Sequence, residues 1–84
     1  MNDIQWTSKA LRQTRKLPHA EQENIANAVS ALRNWPHVEQ VKSLRGKSGY
    51  RLRVGRYRVL FTVNAGIPLV IRIEEVKKRD EHTY

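Results

Sequence analysis

The segment Tyr50-Arg51-Leu52-Arg53-Val54-Gly55-Arg56-Tyr57-Arg58-Val59-Leu60-Phe61 carries the residues best suited to chemistry. A guanidinium is planar, holds phosphate with two parallel hydrogen bonds, and never loses its charge in a protein. The alternation of arginine with apolar residues has the period of a strand. Gly55-Arg56 reads as a two-residue hairpin turn in which glycine supplies a positive φ. That turn sets the register: Val54 faces Tyr57, Arg53 faces Arg58, Leu52 faces Val59 and Arg51 faces Leu60. One face becomes Tyr50, Leu52, Val54, Tyr57, Val59 and Phe61, and the other carries Arg51, Arg53 and Arg58. Arginines directly opposite each other repel, so a sequence shaped for stability alone would avoid the Arg53/Arg58 pair. The arrangement fits a cradle for phosphate. The competing reading is a solvated sheet face neutralised by acids such as Glu74.

The C-terminal residues extend this set. Lys77, Lys78 and Arg79 follow the last apolar run, with His82 and Tyr84 close behind. Histidine exchanges protons near neutrality, and tyrosine can stack on a base. Glu74 and Glu75 are available as a base or as ion-pair partners, while His19 and His37 read as surface residues. Arg45, Lys47, Arg56, Lys77 and Lys78 are expected to contact RNA around the central arginines. These groups suit RNA cleavage in which the 2′-hydroxyl attacks its own phosphorus. Arginines would stabilise the growing phosphate charge, and two further groups would move the protons. The expected product is a 2′,3′-cyclic phosphate, and DNA would resist. No Asp/Glu/His cluster has metal-ligand spacing, so neither metal nor cofactor is expected. Gly46-Lys47-Ser48 lacks the spacing and the strand–helix context of a phosphate-binding loop.

The flanking sequence must position that hairpin. Asp3–Trp6 reads as a short strand with Ile4 and Trp6 on one side. Thr7 or Ser8 can cap a helix reaching about Lys16, polar and basic, with Ala10 and Leu11 to bury. Pro18 suits the first turn of a second helix. There Ile25, Val29 and Leu32 form one apolar stripe, with Ala28 and Ala31 beside it. Trp35-Pro36 ends it, the Trp covering a core edge. Residues 37–49 read as a loop with an extended piece near Val41–Leu44. Asn64–Gly66 makes a second turn before a β-branched strand over 68–76. The pattern is α+β: two N-terminal helices packed on a small, mostly antiparallel four-stranded sheet, in one domain spanning 1–84.

Composition narrows the partners. The 84 residues include 16 Lys+Arg against 8 Asp+Glu, a net charge of +8. Such a balance favours nucleic acid, a membrane surface or an acidic protein. No apolar run approaches the ~20 residues that cross a bilayer. MNDIQW lacks the pattern of a secretory signal, and there is no cysteine for a disulfide framework. The expectation is a cytoplasmic protein with no membrane partner.

Val41-Lys-Ser-Leu-Arg-Gly46, the hairpin, and a last strand running into Lys78-Arg79 and Tyr84 together resemble the RelE/ParE toxin superfamily. Ser8-Lys-Ala-Leu-Arg-Gln-Thr-Arg-Lys-Leu-Pro18 and the second helix resemble its opening. The resemblance covers nearly the whole chain and is stronger to the RelE branch. It implies a type II toxin–antitoxin toxin that cleaves mRNA in the ribosomal A site without metal. Arg51, Arg53, Arg58, Arg79 and Tyr84 match the site positions, with His82 as a further acid–base group. RelE has lysines where this chain has Arg51 and Arg53, so the proton acceptor stays open. The implied partners are an acidic antitoxin, mRNA, and 16S and 23S rRNA, the chain being a monomer or part of a toxin–antitoxin hetero-oligomer. The ParE branch shares the fold and poisons DNA gyrase. A non-catalytic RNA- or ribosome-binding relic is the third reading.

Overall fold

The computed structural model describes residues 2–46 and 48–78. Strand β1 (Asp3–Trp6) leads into helix α1 (Ser8–Arg15), and helix α2 (His19–Ser30) follows. A single 3-10 turn (Ala31–Asn34) precedes β2 (Val41–Ser43), β3 (Tyr50–Val54), β4 (Tyr57–Asn64) and β5 (Val70–Lys78). The sheet order is β1-β5-β4-β3-β2. β1 runs parallel to β5, and the other pairings are antiparallel.

The α+β class holds, but the sheet has five strands where the sequence pattern suggests four. The extra one is β2. Three residues are too few to show a period, yet Val41, Lys42 and Ser43 pair in register with Leu52, Arg51 and Tyr50. The last strand also runs 70–78 rather than 68–76.

Thr7 caps α1: its Oγ1 accepts from the Ala10 backbone N–H at 3.1 Å, and its own N–H donates to the Ile73 carbonyl. β1 stops opposite Ile73, and α1 takes over the open edge of β5. There the Val76 N–H donates to Gln13 Oε1 at 2.7 Å. Ala10 is the buried residue of α1. Leu11, expected in the core, is exposed, and it lines a groove between α1 and α2. α2 begins at His19 with Pro18 at its cap. Gln22 ties α2 to the linker that follows α1 by donating to the Leu17 carbonyl at 2.8 Å. The apolar stripe buries as expected: Ile25, Val29 and Leu32 are each at most 2% exposed. Leu32 reaches the core from the 3-10 turn rather than from a continuous helix.

The helices cover one side of the sheet. Leu52, Tyr57, Val59, Phe61, Ile71, Ile73 and Val76 meet Ala10, Ile25, Val29 and Leu32 in one cluster. Burying each of the larger side chains contributes about 1.5–3 kcal/mol. Trp35 closes one end, edge-on to Tyr50 at 4.6 Å and to Phe61 at 5.5 Å.

A bulge between β4 and β5 governs what reaches the other side. Leu60 pairs with Glu75 and Phe61 with Ile73, leaving Glu74 as the extra residue. Strict alternation would put Val76 on the face opposite Ile71 and Ile73. The bulge reverses the parity, so that Val76 joins the core at 5% exposure. Lys77 then turns to the open face, opposite Arg58.

Gly49 tests the junction that feeds the hairpin. Its φ is +117°, and an added Cβ would lie 3.0 Å from the Phe61 carbonyl oxygen. Gly46 has φ +65° with nothing within 4 Å of its would-be Cβ. Gly46→Ala is therefore expected to lose about 1 kcal/mol from backbone strain alone. Gly49→Ala adds a steric clash and is expected to lose more, about 2–3 kcal/mol. Urea unfolding of both variants checks the order.

Candidate nucleic-acid interface

The hairpin register follows from its turn. Gly55 sits at φ +56° and Arg56 has an ordinary negative φ, the pattern of a II′ turn, which matches strand twist. Val54 pairs with Tyr57, Arg53 with Arg58, Leu52 with Val59, and Arg51 with Leu60. Arg51, Arg53 and Arg58 thus share the face away from the helices. Arg51 and Arg58 are half-buried and Arg53 is exposed.

Two rows cross this face. Lys42, Arg51, Leu60 and Glu75 lie side by side on β2 to β5. Arg53, Arg58 and Lys77 form the next row. An open cavity of about 390 Å³ lies between them, lined by Gln40, Val41, Lys42, Arg51, Arg53 and Arg58. Gln40 sits at φ +64°, uncommon for a residue with a side chain. Its carbonyl accepts the Arg53 backbone N–H at 2.9 Å, holding the approach to β2 against β3.

The acids lie elsewhere. Glu74 accepts from Thr62 Oγ1 at 2.9 Å and pairs with Arg72 at 3.6 Å. Glu75 pairs with Lys9 of α1 at 2.7 Å and with Lys77 at 3.7 Å. The hydrogen bond from Lys9, with the Lys77 charge behind it, holds the Glu75 carboxyl below its ordinary value against a partial opposing effect of burial. Among the described residues, no ion pair neutralises Arg51, Arg53 or Arg58. The reading in which Glu74 neutralises the arginines therefore does not hold for the described pairs. Phosphate oxygens are the ligand this chemistry fits best.

The structure gathers some of the expected site residues and separates others. Arg51, Arg53 and Arg58 meet at the cavity, with Lys77 next in row. Lys78 pairs opposite Tyr57 and so falls on the other face. Adjacent strand residues point to opposite sides, so of the two lysines Lys77 shares the arginines' face. Arg45 and Arg56 are exposed in turns and do not line the cavity. Lys47, Arg79, His82 and Tyr84 lie outside the described residues. Sequence reasoning missed Gln40 and Lys42. Pairing Val41-Lys42-Ser43 against β3 would have exposed Lys42 as a neighbour of Arg51, but a three-residue strand leaves no period to read.

No protein-family model matches the sequence, and no curated protein matches it. Solved structures do match its fold. The archaeal RelE–RelB complex from Pyrococcus horikoshii OT3 aligns at 26% identity and TM-score 0.80, covering 95% of this chain and 97% of that one. The isolated E. coli RelE toxin aligns at 21% identity and TM-score 0.78, covering 96% and 87%. The YoeB/ParE toxin from Agrobacterium tumefaciens aligns at 12% identity and TM-score 0.77, covering 93% and 99%. The chain has the RelE-like toxin fold.

Glu75 gives a pH test of this face. Its folded carboxyl titrates below the ordinary 4.5, so its stabilising contribution is complete above that pH and fades as pH falls through the folded value. Lys9 is 60% exposed, so solvent screening limits the pair to about 0.2–1 kcal/mol. Glu75→Gln should be less stable than wild type by that amount at pH 7. The two unfolding free energies should converge as the pH drops below 4.5.

Proposed function

We propose that the chain is the toxin of a type II toxin–antitoxin pair and cleaves mRNA in the ribosomal A site. The observation that carries this reading is the cavity lined by Arg51, Arg53 and Arg58, with no acid paired to them among the described residues. Its shape and charge suit a phosphodiester. Arg58 and Arg53 approach from opposite strands and would hold the two non-bridging oxygens. Their hydrogen bonds gain strength as negative charge develops there, which lowers the barrier. The attacking group is the neighbouring 2′-hydroxyl, so RNA is the substrate and DNA is inert. Arg79, His82 and Tyr84 are proposed to complete the site from the C-terminal segment, with no metal required.

Such a face needs an acidic partner to silence it. RelE is bound to RelB in the Pyrococcus horikoshii complex. A cognate acidic antitoxin is proposed here too, covering the arginine face by charge complementarity. The rRNA contacts and a cytoplasmic location belong to the same proposal. Among the described residues, no helix is long and apolar enough to cross a membrane.

The similarity to the YoeB/ParE toxin keeps a second reading in view, a ParE-type inhibitor of DNA gyrase. A supercoiling assay separates the two. Intact mRNA with inhibited gyrase would favour the second.

Primer extension on mRNA in a translation extract tests the reaction. Wild type should give cuts at A-site codons. Arg58→Ala should fold normally and cut about 10²–10³-fold more slowly, the loss typical of removing one charge-stabilising donor. Expression of that variant should no longer arrest growth. Cuts at the wild-type rate would remove Arg58 from the site. Binding of a single-stranded RNA should also weaken with salt, by about 0.7 log unit per log unit of salt for each phosphate contact.

A further inference from the structure

The cavity wall that the hairpin does not supply bears on the unassigned proton transfers, an inference that rests on the RNA-cleavage reading above. Its lining residues are Gln40, Val41, Lys42, Arg51, Arg53 and Arg58. Guanidinium groups hold their protons throughout the accessible pH range, and amide and isopropyl side chains have none to give. Lys42 is the one described lining residue whose side chain can release a proton and take it back. It sits directly opposite Arg51 on the same face. Arg51 and Arg53 on β3, Arg58 on β4 and Lys77 on β5 share this face, with Leu60 of β4 in the same row as Lys42. Glu75 ends the same row but is held by Lys9 and Lys77.

An ammonium at neutral pH is protonated, so its natural role is donor. We infer that Lys42 is the general acid that protonates the leaving 5′-oxygen. The 2′-oxygen forms its bond to phosphorus as the phosphorus–O5′ bond breaks. The O5′ electron pair takes a proton from the Lys42 Nζ, giving a 5′-hydroxyl and a neutral amine. The 2′-hydroxyl proton passes to water, and the amine regains one from water, so the enzyme returns to its starting state. The arginines stabilise charge on the non-bridging oxygens, and Lys42 removes charge from the bridging one. Fixed charge and mobile proton are then divided between the arginines and the lysine that lines the cavity with them.

Lys42→Arg separates these roles, because arginine keeps the charge and the reach but withholds the proton. The experiment uses ribosomes programmed with a short synthetic mRNA, cut by wild type, Lys42→Arg and Lys42→Ala. Lys42 is exposed, and circular dichroism checks that the variants fold. Both variants should cleave ordinary mRNA about 10²–10⁴-fold more slowly than wild type, the range for a lost acid–base group. A second mRNA carries sulfur in place of the 5′-oxygen at the cleaved bond. Thiolate leaves without protonation, so on this mRNA both variants should match wild type. Wild-type speed of Lys42→Arg on ordinary mRNA would overturn the inference, as would a deficit that persists with the sulfur leaving group. Failure of wild type itself to cut either mRNA would instead overturn the nuclease reading, and this inference with it.

Discussion

Arg53 and Arg58 face each other across a two-stranded ladder, and among the described residues no ion pair neutralises either. The opposition is imposed from below. Leu52 and Val59, one position along, pair over the helices at 5% and 0% exposure. Because side chains alternate along a strand, burying that pair obliges the arginines to share the outer face. A slip of one residue would relieve the repulsion only by bringing arginines into the core. The core's requirement is worth kilocalories and the repulsion about 0.2–1 kcal/mol, so the hydrophobic term decides. Repulsion between arginines is then available to be relieved by phosphate.

Other parts of the fold serve the same face. The Glu74 bulge admits Val76 to the core and sends Lys77 outward beside Arg58. α1 replaces β1 along the edge of β5 and brings Lys9 to Glu75. That contact pairs the carboxylate at the end of Arg51's row with lysines instead. Gln40, in a left-handed conformation, delivers its carbonyl to Arg53 and leads into β2. Each device is local, yet together they leave one side of the sheet cationic and the other apolar.

Much of this was legible in the sequence. Period-two alternation about Gly55-Arg56 specified the hairpin pairings residue by residue, and the Ile25/Val29/Leu32 stripe marked the helix surface that packs on them. Trp35 was legible as a core-edge aromatic. What escaped depended on long-range pairing. Val41–Ser43 is a strand because β3 offers it an edge, and its own three residues carry no pattern. The bulge arises because Ile71, Ile73 and Val76 must all be buried although their spacing breaks alternation. Lys77 and Lys78 illustrate the same limit, since only three-dimensional pairing reveals that Lys77 lies opposite Arg58 and Lys78 opposite Tyr57. Hydrophobicity alone points Leu11 to the core, but α1 lies at the sheet edge and leaves it in an open groove.

The central claim is that the fold holds these arginines against their own repulsion for the sake of a polyanion. Unfolding free energies of wild type, Arg53→Ala, Arg58→Ala and the double variant, measured with and without a 2′-O-methyl RNA that cannot be cut, test it in one double-mutant cycle. Alone, each single variant should be at least as stable as wild type, with a repulsive coupling of about 0.2–1 kcal/mol between the two positions. With RNA present, wild type should gain the most stability, because a ligand stabilises in proportion to its affinity for the folded state. Arginines that stabilise the free protein, together with RNA that raises all four proteins equally, would contradict the account.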